Sequence, residues 1–279
     1  MNYGSEIPPA SNLPSYITTL LARGRLVFSA DEAQRALGIG RGAFLDAAEK
    51  LHKRRRLLRP RRGFYVIVPP QDLNFGSPPP ASFIDDLMRR EGRPYYVGLL
   101  KAAELHGSAH HAVMEFQVVT DKQIPSLQVG RSRIVFYVRK DMDAVASAVE
   151  DHKTDTGTMK VSSVELTLFD LLRYPQASGG LDNVLTIIKD LGPKLDAAKM
   201  QSLCGGFERS IVQRAGYLLE HAHVEAPAEK LHEFLARSSR VNWSELDPSL
   251  ASNPELAPQV LTRDKRWCVV VRRLPEQEA

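Results

Sequence analysis

Apolar residues recur at helical spacing near the start of the chain, where Ile17, Leu20 and Leu21 stand at i, i+3 and i+4 between Pro14 and Gly24. That pattern predicts a short amphipathic helix with a Pro start and a Gly stop. Ser29-Ala30-Asp31-Glu32 reads as a capping box, in which hydroxyl and carboxylate each meet an orphan amide. The helix it opens carries Ala33, Ala36 and Leu37 on one face and ends at Gly38. Ile39-Gly40 leads into a third helix from Arg41 to about Arg54, with Phe44, Ala47, Ala48 and Leu51 as its buried stripe. Two short helices joined by a Gly-bearing turn have helix-turn-helix spacing, and the third helix is then the expected recognition helix. Arg56–Arg59 and Phe64–Val68 read as two short strands around Pro60-Arg61-Arg62-Gly63, a hairpin with Pro and Gly in its turn. Three helices followed by a basic-tipped hairpin predict a winged helix-turn-helix domain over residues 1–70.

Pro69-Pro70 ends the second strand, and Gly76-Ser77-Pro78-Pro79-Pro80 follows. Such a run predicts a stiff extended connector, placed at residues 71–82. The remainder, 83–279, is mixed. Phe83–Met88, Leu99–Leu105, Ser163–Leu172, Leu181–Leu191 and Ile211–His221 read as helices. Val113–Thr120, Arg133–Val138 and Arg266–Val271 read as strands. The expected fold class is α+β, a winged helix followed by a larger mixed domain, without internal repeats. No apolar run approaches the roughly 18 residues of a membrane span. Glu6 and the lack of an apolar stretch beside it argue against a secretory signal, so a cytoplasmic location with no membrane partner is expected. Cys204 and Cys268, the two cysteines, are expected to be free thiols.

Composition is that of an ordinary globular protein, 43% hydrophobic and 25% charged over 279 residues, which excludes collagen-like, disordered and disulfide-scaffold classes. The net charge of +4 says little, but its distribution says more. Twelve basic residues lie between Tyr16 and Pro70 against four acids, a local +8 that leaves −4 for the rest. Nine of the twelve fall between Arg41 and Arg62. A small basic module on a mildly acidic body is the electrostatic footprint of a nucleic-acid binder.

At 100° per residue, Gly42, Asp46, Glu49 and Lys53 face away from the buried stripe of the third helix, and two of those four are acids that repel phosphates. Affinity for duplex DNA is therefore expected from Arg41, Lys50, Lys53, Arg54, Arg55 and Arg56, with Arg59, Arg61 and Arg62 of the wing, and base readout from the helix's first turn.

Candidate chemistry fails at each test. His106 and His110 stand at i, i+4, but Gly107 separates them and no acidic ligand completes a site. His221 and His223 diverge on a helix. Gly107-Ser108 and Asp141-Met142-Asp143 echo a nucleotidyltransferase, yet lie 33 residues apart, with the carboxylates after the wrong strand. Asp151-His152-Lys153 echoes a nuclease triplet of a kind that chance supplies. Phosphate-binding Gly loops and the Gly-x-Ser-x-Gly elbow do not occur. No catalytic residue, metal or cofactor is expected.

Four segments resemble the AbiE-type (AbiEi) antitoxins, the transcriptional-regulator partners in type IV toxin–antitoxin systems. They are Arg59–Val66 in the wing, Pro94–Gly107 (PYYVGLLKAAELHG), Val164–Leu172 (VELTLFDLL) and Arg214–Leu219 (RAGYLL). Together they sit within a likeness over most of residues 10–275. The resemblance implies a winged helix that binds and represses its own promoter, and a C-terminal domain that opposes a cognate nucleotidyltransferase toxin. Inverted repeats in such an operator would need a dimer or two cooperating monomers. Two other readings of the residues stand beside this one: a divergent nucleic-acid enzyme using the body's carboxylates, and a winged helix that contacts protein.

Overall fold

The computed structural model describes residues 11–108, 114–237, 242–251 and 257–275. Glu6, His110 and Val113 lie outside the described residues. The chain opens with α1 (Leu13–Ala22), β1 (Val27–Ser29), α2 (Ala30–Leu37), α3 (Arg41–Lys53), β2 (Leu57–Arg61) and β3 (Phe64–Ile67). Asn12 caps α1 by accepting the Ser15 amide at 3.0 Å. The capping box forms as expected: Ser29 Oγ accepts the Glu32 amide at 3.1 Å, and Glu32 Oε2 accepts the Ser29 amide at 3.4 Å. β1, too short to show a period in the sequence, pairs antiparallel with β3, and β3 with β2, so that β3 is central. Helix, strand, two helices and hairpin in this order are the succession expected of a winged helix. Its core is an aromatic ladder, Tyr16 on Phe28 on Tyr65 on Phe44, with ring centroids 5.7, 5.5 and 5.3 Å apart.

The stretch expected to be an extended connector is folded instead. It makes two 3-10 turns, Pro70–Asp72 and Pro80–Ser82, and buries Ser77, Pro78 and Pro80. The cause lies in β3, whose four residues are all buried. Tyr65 and Ile67 enter the module's own core, while Phe64 and Val66 join Val27 in a second core with Phe83, Ile84, Leu87 and Met88. A strand that is apolar on both faces needs cover on both. The basic module and the body are therefore joined by shared packing, and a free spacer between them would expose this apolar surface to water.

The body continues with α4 (Ile84–Glu91), β4 (Tyr95–Val97), α5 (Leu99–Leu105), β5 (Glu115–Thr120), β6 (Leu127–Val129), β7 (Ser132–Val138), β8 (Val149–Thr154) and β9 (Gly157–Ser162). Helices α6 (Val164–Arg173), α7 (Leu181–Leu191), α8 (Ala197–Leu203), α9 (Arg209–His221) and α10 (Glu225–Ala236) follow, then β10 (Ser244–Glu245), β11 (Thr262–Asp264) and β12 (Val269–Val271). A mixed sheet runs β6-β7-β5-β4-β9-β8, with β5–β7 and β4–β9 parallel. One face, with Val97, Val118 and Ile134, packs on α4 and the basic module. The other, with Tyr96 and Val119, meets Leu99 of α5 and the apolar faces of α6 to α10. The fold class is thus α+β. One expected strand is corrected: Arg266–Cys268 form a turn, with Cys268 at φ 51°, and only Val269–Val271 are extended. Among the described residues no helix is long and apolar enough to cross a membrane.

Candidate nucleic-acid interface

Helix α3 starts at Arg41 after Gly40, whose lack of a side chain leaves the helix without a side-chain cap. Its first amides are thus open to a partner, and Lys50, His52 and Lys53 in the last turn complement the opposite pole. Phe44 and Ala48 are buried, while Arg41, Gly42, Asp46, Glu49, Lys50 and Lys53 are exposed, as the helical wheel requires. Lys53 lies 3.8 Å from Glu49, a loose i, i+4 pair. Arg54 caps the helix, and Arg55 turns the chain into β2 with its backbone in the left-handed region, φ 54°. Arg54, Arg55 and Arg56 are exposed.

The wing is anchored at its tip. The Gly63 carbonyl accepts the Ala30 amide at 3.1 Å, and the Arg62 carbonyl accepts Arg90 Nη2 at 3.0 Å. Arg61, expected on the DNA face, turns to the body: Nε donates to Glu91 Oε1 at 3.1 Å and Nη2 to the Pro125 carbonyl at 3.2 Å. The reason is strand alternation with a bulge between Leu58 and Arg61, which puts Arg61 beside α4 and leaves Arg59 on the outer side. Arg41, Arg59 and Arg62 meet around a cleft of about 400 Å³ between α3 and the hairpin, floored by Phe44 and Tyr65. The acids of α3 lie apart from it. Asp46 and Glu49 line a neighbouring groove with His52 and Leu58 on the far side of Arg59. Lys50 and Lys53–Arg56 are not in the cleft; they stand exposed in the last turn of α3 and just beyond it.

The body's distinctive segments are buried structure. Tyr96 Oη donates to Asp170 Oδ2 at 2.7 Å, and Arg139 lies 3.7 Å from Asp170 Oδ1, with the two side chains 1% and 0% exposed. Arg139 also donates to the carbonyls of Asp141 (2.9 Å) and Gly206 (2.5 Å), and sits 4.4 Å over the Phe207 ring. Burial pushes the Asp170 carboxyl up to about 6, against the lowering effects of the Tyr96 hydroxyl and of Arg139. This polar knot ties β4, α6 and β7 together beneath the helical layer. Gly216 on α9 is the seat of Trp267: a Cβ there would lie 1.9 Å from the indole. Gln213 and Arg214 donate to backbone carbonyls of Trp267 and Leu172.

The side chains tested for catalysis are engaged separately. Ser108 Oγ donates to Asp190 Oδ2 at 2.5 Å, Asp141 Oδ1 accepts the Ala144 amide at 3.1 Å, and Asp151 pairs with Lys160 at 2.7 Å. His106 Nε2 is 2.7 Å from the Ser162 carbonyl, and the His221 ring stacks on Tyr217. Among the described residues no group of three or more His, Cys, Asp or Glu side chains is placed to hold a metal. Both cysteines are free thiols; burial pushes that of Cys204 up to about 12.

Comparison with known proteins bears on the body first. Residues 96–221 match the AbiEi antitoxin C-terminal domain. No curated protein matches at the sequence level. Among solved structures the chain is similar to the crystal structure of the RV2827C protein from Mycobacterium tuberculosis, at a TM-score of 0.68 and 16% identity, over 95% of this chain and 92% of that one. That likeness is one of fold. The matched span contains Tyr96, Arg139, Asp170, Gly206 and Gly216, the residues that organise the body. Through its residues 96–221 the chain is similar to the AbiEi antitoxins in their C-terminal domain.

Proposed function

We propose that the protein is a DNA-binding repressor and antitoxin of a type IV toxin–antitoxin system. The N-terminal module binds duplex DNA at its own promoter through Arg41, Lys50, Lys53, Arg54, Arg55, Arg56, Arg59 and Arg62. Arg61 holds the hairpin to the body. The C-terminal body opposes a nucleotidyltransferase toxin. The observation that carries the reading is the set of exposed basic side chains on α3 and the hairpin, three of which meet around the cleft, attached to a body that matches the AbiEi antitoxin C-terminal domain. Guanidinium forks suit phosphate oxygens, and the acids of α3 line the adjoining groove and not the cleft itself. The protein acts in the cytoplasm, without metal or cofactor.

A reporter driven by the protein's own upstream region tests the reading. The full chain is expected to repress it, and Arg41→Ala/Arg59→Ala/Arg62→Ala to release it, while both forms protect cells that express the neighbouring toxin gene. Equal repression by the two forms would overturn the DNA-binding assignment. Failure of the wild type to protect would overturn the antitoxin assignment.

A further inference from the structure

We propose that the hairpin cleft holds a single backbone phosphate of duplex DNA and that Arg90, a residue of the body, is one of its ligands. This rests on the DNA-binding reading above and extends it beyond the basic module. Arg90 stands in the last turn of α4 and lines the same cleft as Arg41, Arg59 and Arg62. Four guanidiniums share that space with one carboxylate, Asp31. Gathered cations repel one another, and an anion seated among them offsets the cost.

Neighbouring arginines show how selectively the seam's acids are used. Arg89 pairs with Asp85 and Asp86, and Arg61 with Glu91. Those pairs leave the four cleft arginines without any of these three carboxylates. Arg90 is also positioned: one nitrogen donates to the Arg62 carbonyl, which fixes the plane of the guanidinium and leaves its other N–H groups for a ligand. The backbone makes room for it at Gly63, where φ is +72° and a Cβ would stand 2.8 Å from Arg90 Nη2. A phosphodiester carries one charge and two free oxygens, which suits two guanidinium forks approaching from α3 and α4. On this account the body takes part in DNA binding directly.

The experiment uses the full-length protein, a labelled duplex from its own upstream region and a scrambled duplex, each titrated over a range of salt. Arg90→Ala is expected to weaken binding about tenfold on both duplexes, as loss of a charged hydrogen bond to phosphate would. It should also flatten the slope of log K against log salt by about 0.9. Arg90→Gln, which loses the charge and keeps a polar side chain, should do the same with a melting temperature close to that of wild type, because the bond it gives up is exposed. Arg89→Ala should match wild type within about twofold, because Arg89 lies outside the cleft and its charge is already paired with Asp85 and Asp86. Arg41→Ala/Arg90→Ala should lose less than the product of the single losses, because both act on one phosphate. If the wild type binds with a steep salt slope and both Arg90 variants behave like Arg89→Ala, the phosphate site is wrong and the DNA-binding reading stands. If the wild type binds neither duplex at low salt, that reading fails and takes this one with it. If the Arg90 variants bind DNA normally but lose an acidic protein partner, the cleft belongs to that partner and the proposal is overturned.

Discussion

Single residues in this protein divide by what a small chemical change would meet. Gly42 lies inside α3 with open space where a Cβ would go, whereas Gly216 inside α9 is pressed against Trp267. Gly42→Ala should therefore raise stability by about 0.4–1 kcal/mol, chiefly by restricting the unfolded chain. Gly216→Ala should lower it by about 3 kcal/mol or more, through overpacking. Denaturant melts of the two variants check both signs. Arg139 offers a second test because its partner titrates. Burial raises Asp170 to about 6 in the folded protein, while an unfolded aspartate ionises near 4. Above about pH 6 Asp170 is charged in both states, and Arg139→Met leaves it buried without its counter-charge, a loss of about 3–5 kcal/mol. Near pH 5 the folded protein holds Asp170 protonated and needs that counter-charge less. The cost of the variant should shrink on acidification, and a cost that grows instead would contradict the pairing.

At the scale of elements, what could be read in advance was whatever local periodicity and capping chemistry encode. Pro14 at the start of α1 and Gly24 beyond its end, the capping box of Ser29 and Glu32, and Gly38 after α2 stand where residue types alone place them. The wing's two strands were legible; its docking was not, because Arg61 and Glu91 are 30 residues apart and no local signal joins them. β8 was missed because its VEDHKT run is mostly exposed at a sheet edge and carries no apolar stripe. β1 and β4 are three residues each, shorter than any period can reveal. Arg266–Cys268 looked like strand because Trp267 precedes three valines, but the tryptophan reaches the core from a turn. Arg90 escaped notice for the same reason as Glu91: it faces the hairpin only once α4 has packed on β3. One consequence belongs to the hairpin. Arg61→Ala should cost about 0.5–1 kcal/mol, the loss of a half-exposed ion pair, yet leave the salt dependence of DNA binding unchanged. A flatter slope for this variant would put Arg61 on the DNA after all.

For the molecule as a whole, the shared core around Phe64, Val66, Phe83, Ile84 and Leu87 makes the basic module and the body one packed unit. Calorimetry of the full chain should give one cooperative transition, because melting either part would expose the other's apolar face to water. Two separate transitions would mean that the seam contributes little. The same continuity joins the body to the basic module through α4 and the hairpin it clasps. The central claim remains that this surface reads DNA, and one titration tests it most directly. Labelled duplex from the protein's own upstream region, beside a scrambled duplex, is titrated with the full chain at several salt concentrations. Tighter binding to the native duplex is expected, with log K falling against log salt at a slope near −5, as for about six phosphates neutralised. Absence of binding to either duplex at the lowest salt would contradict the account.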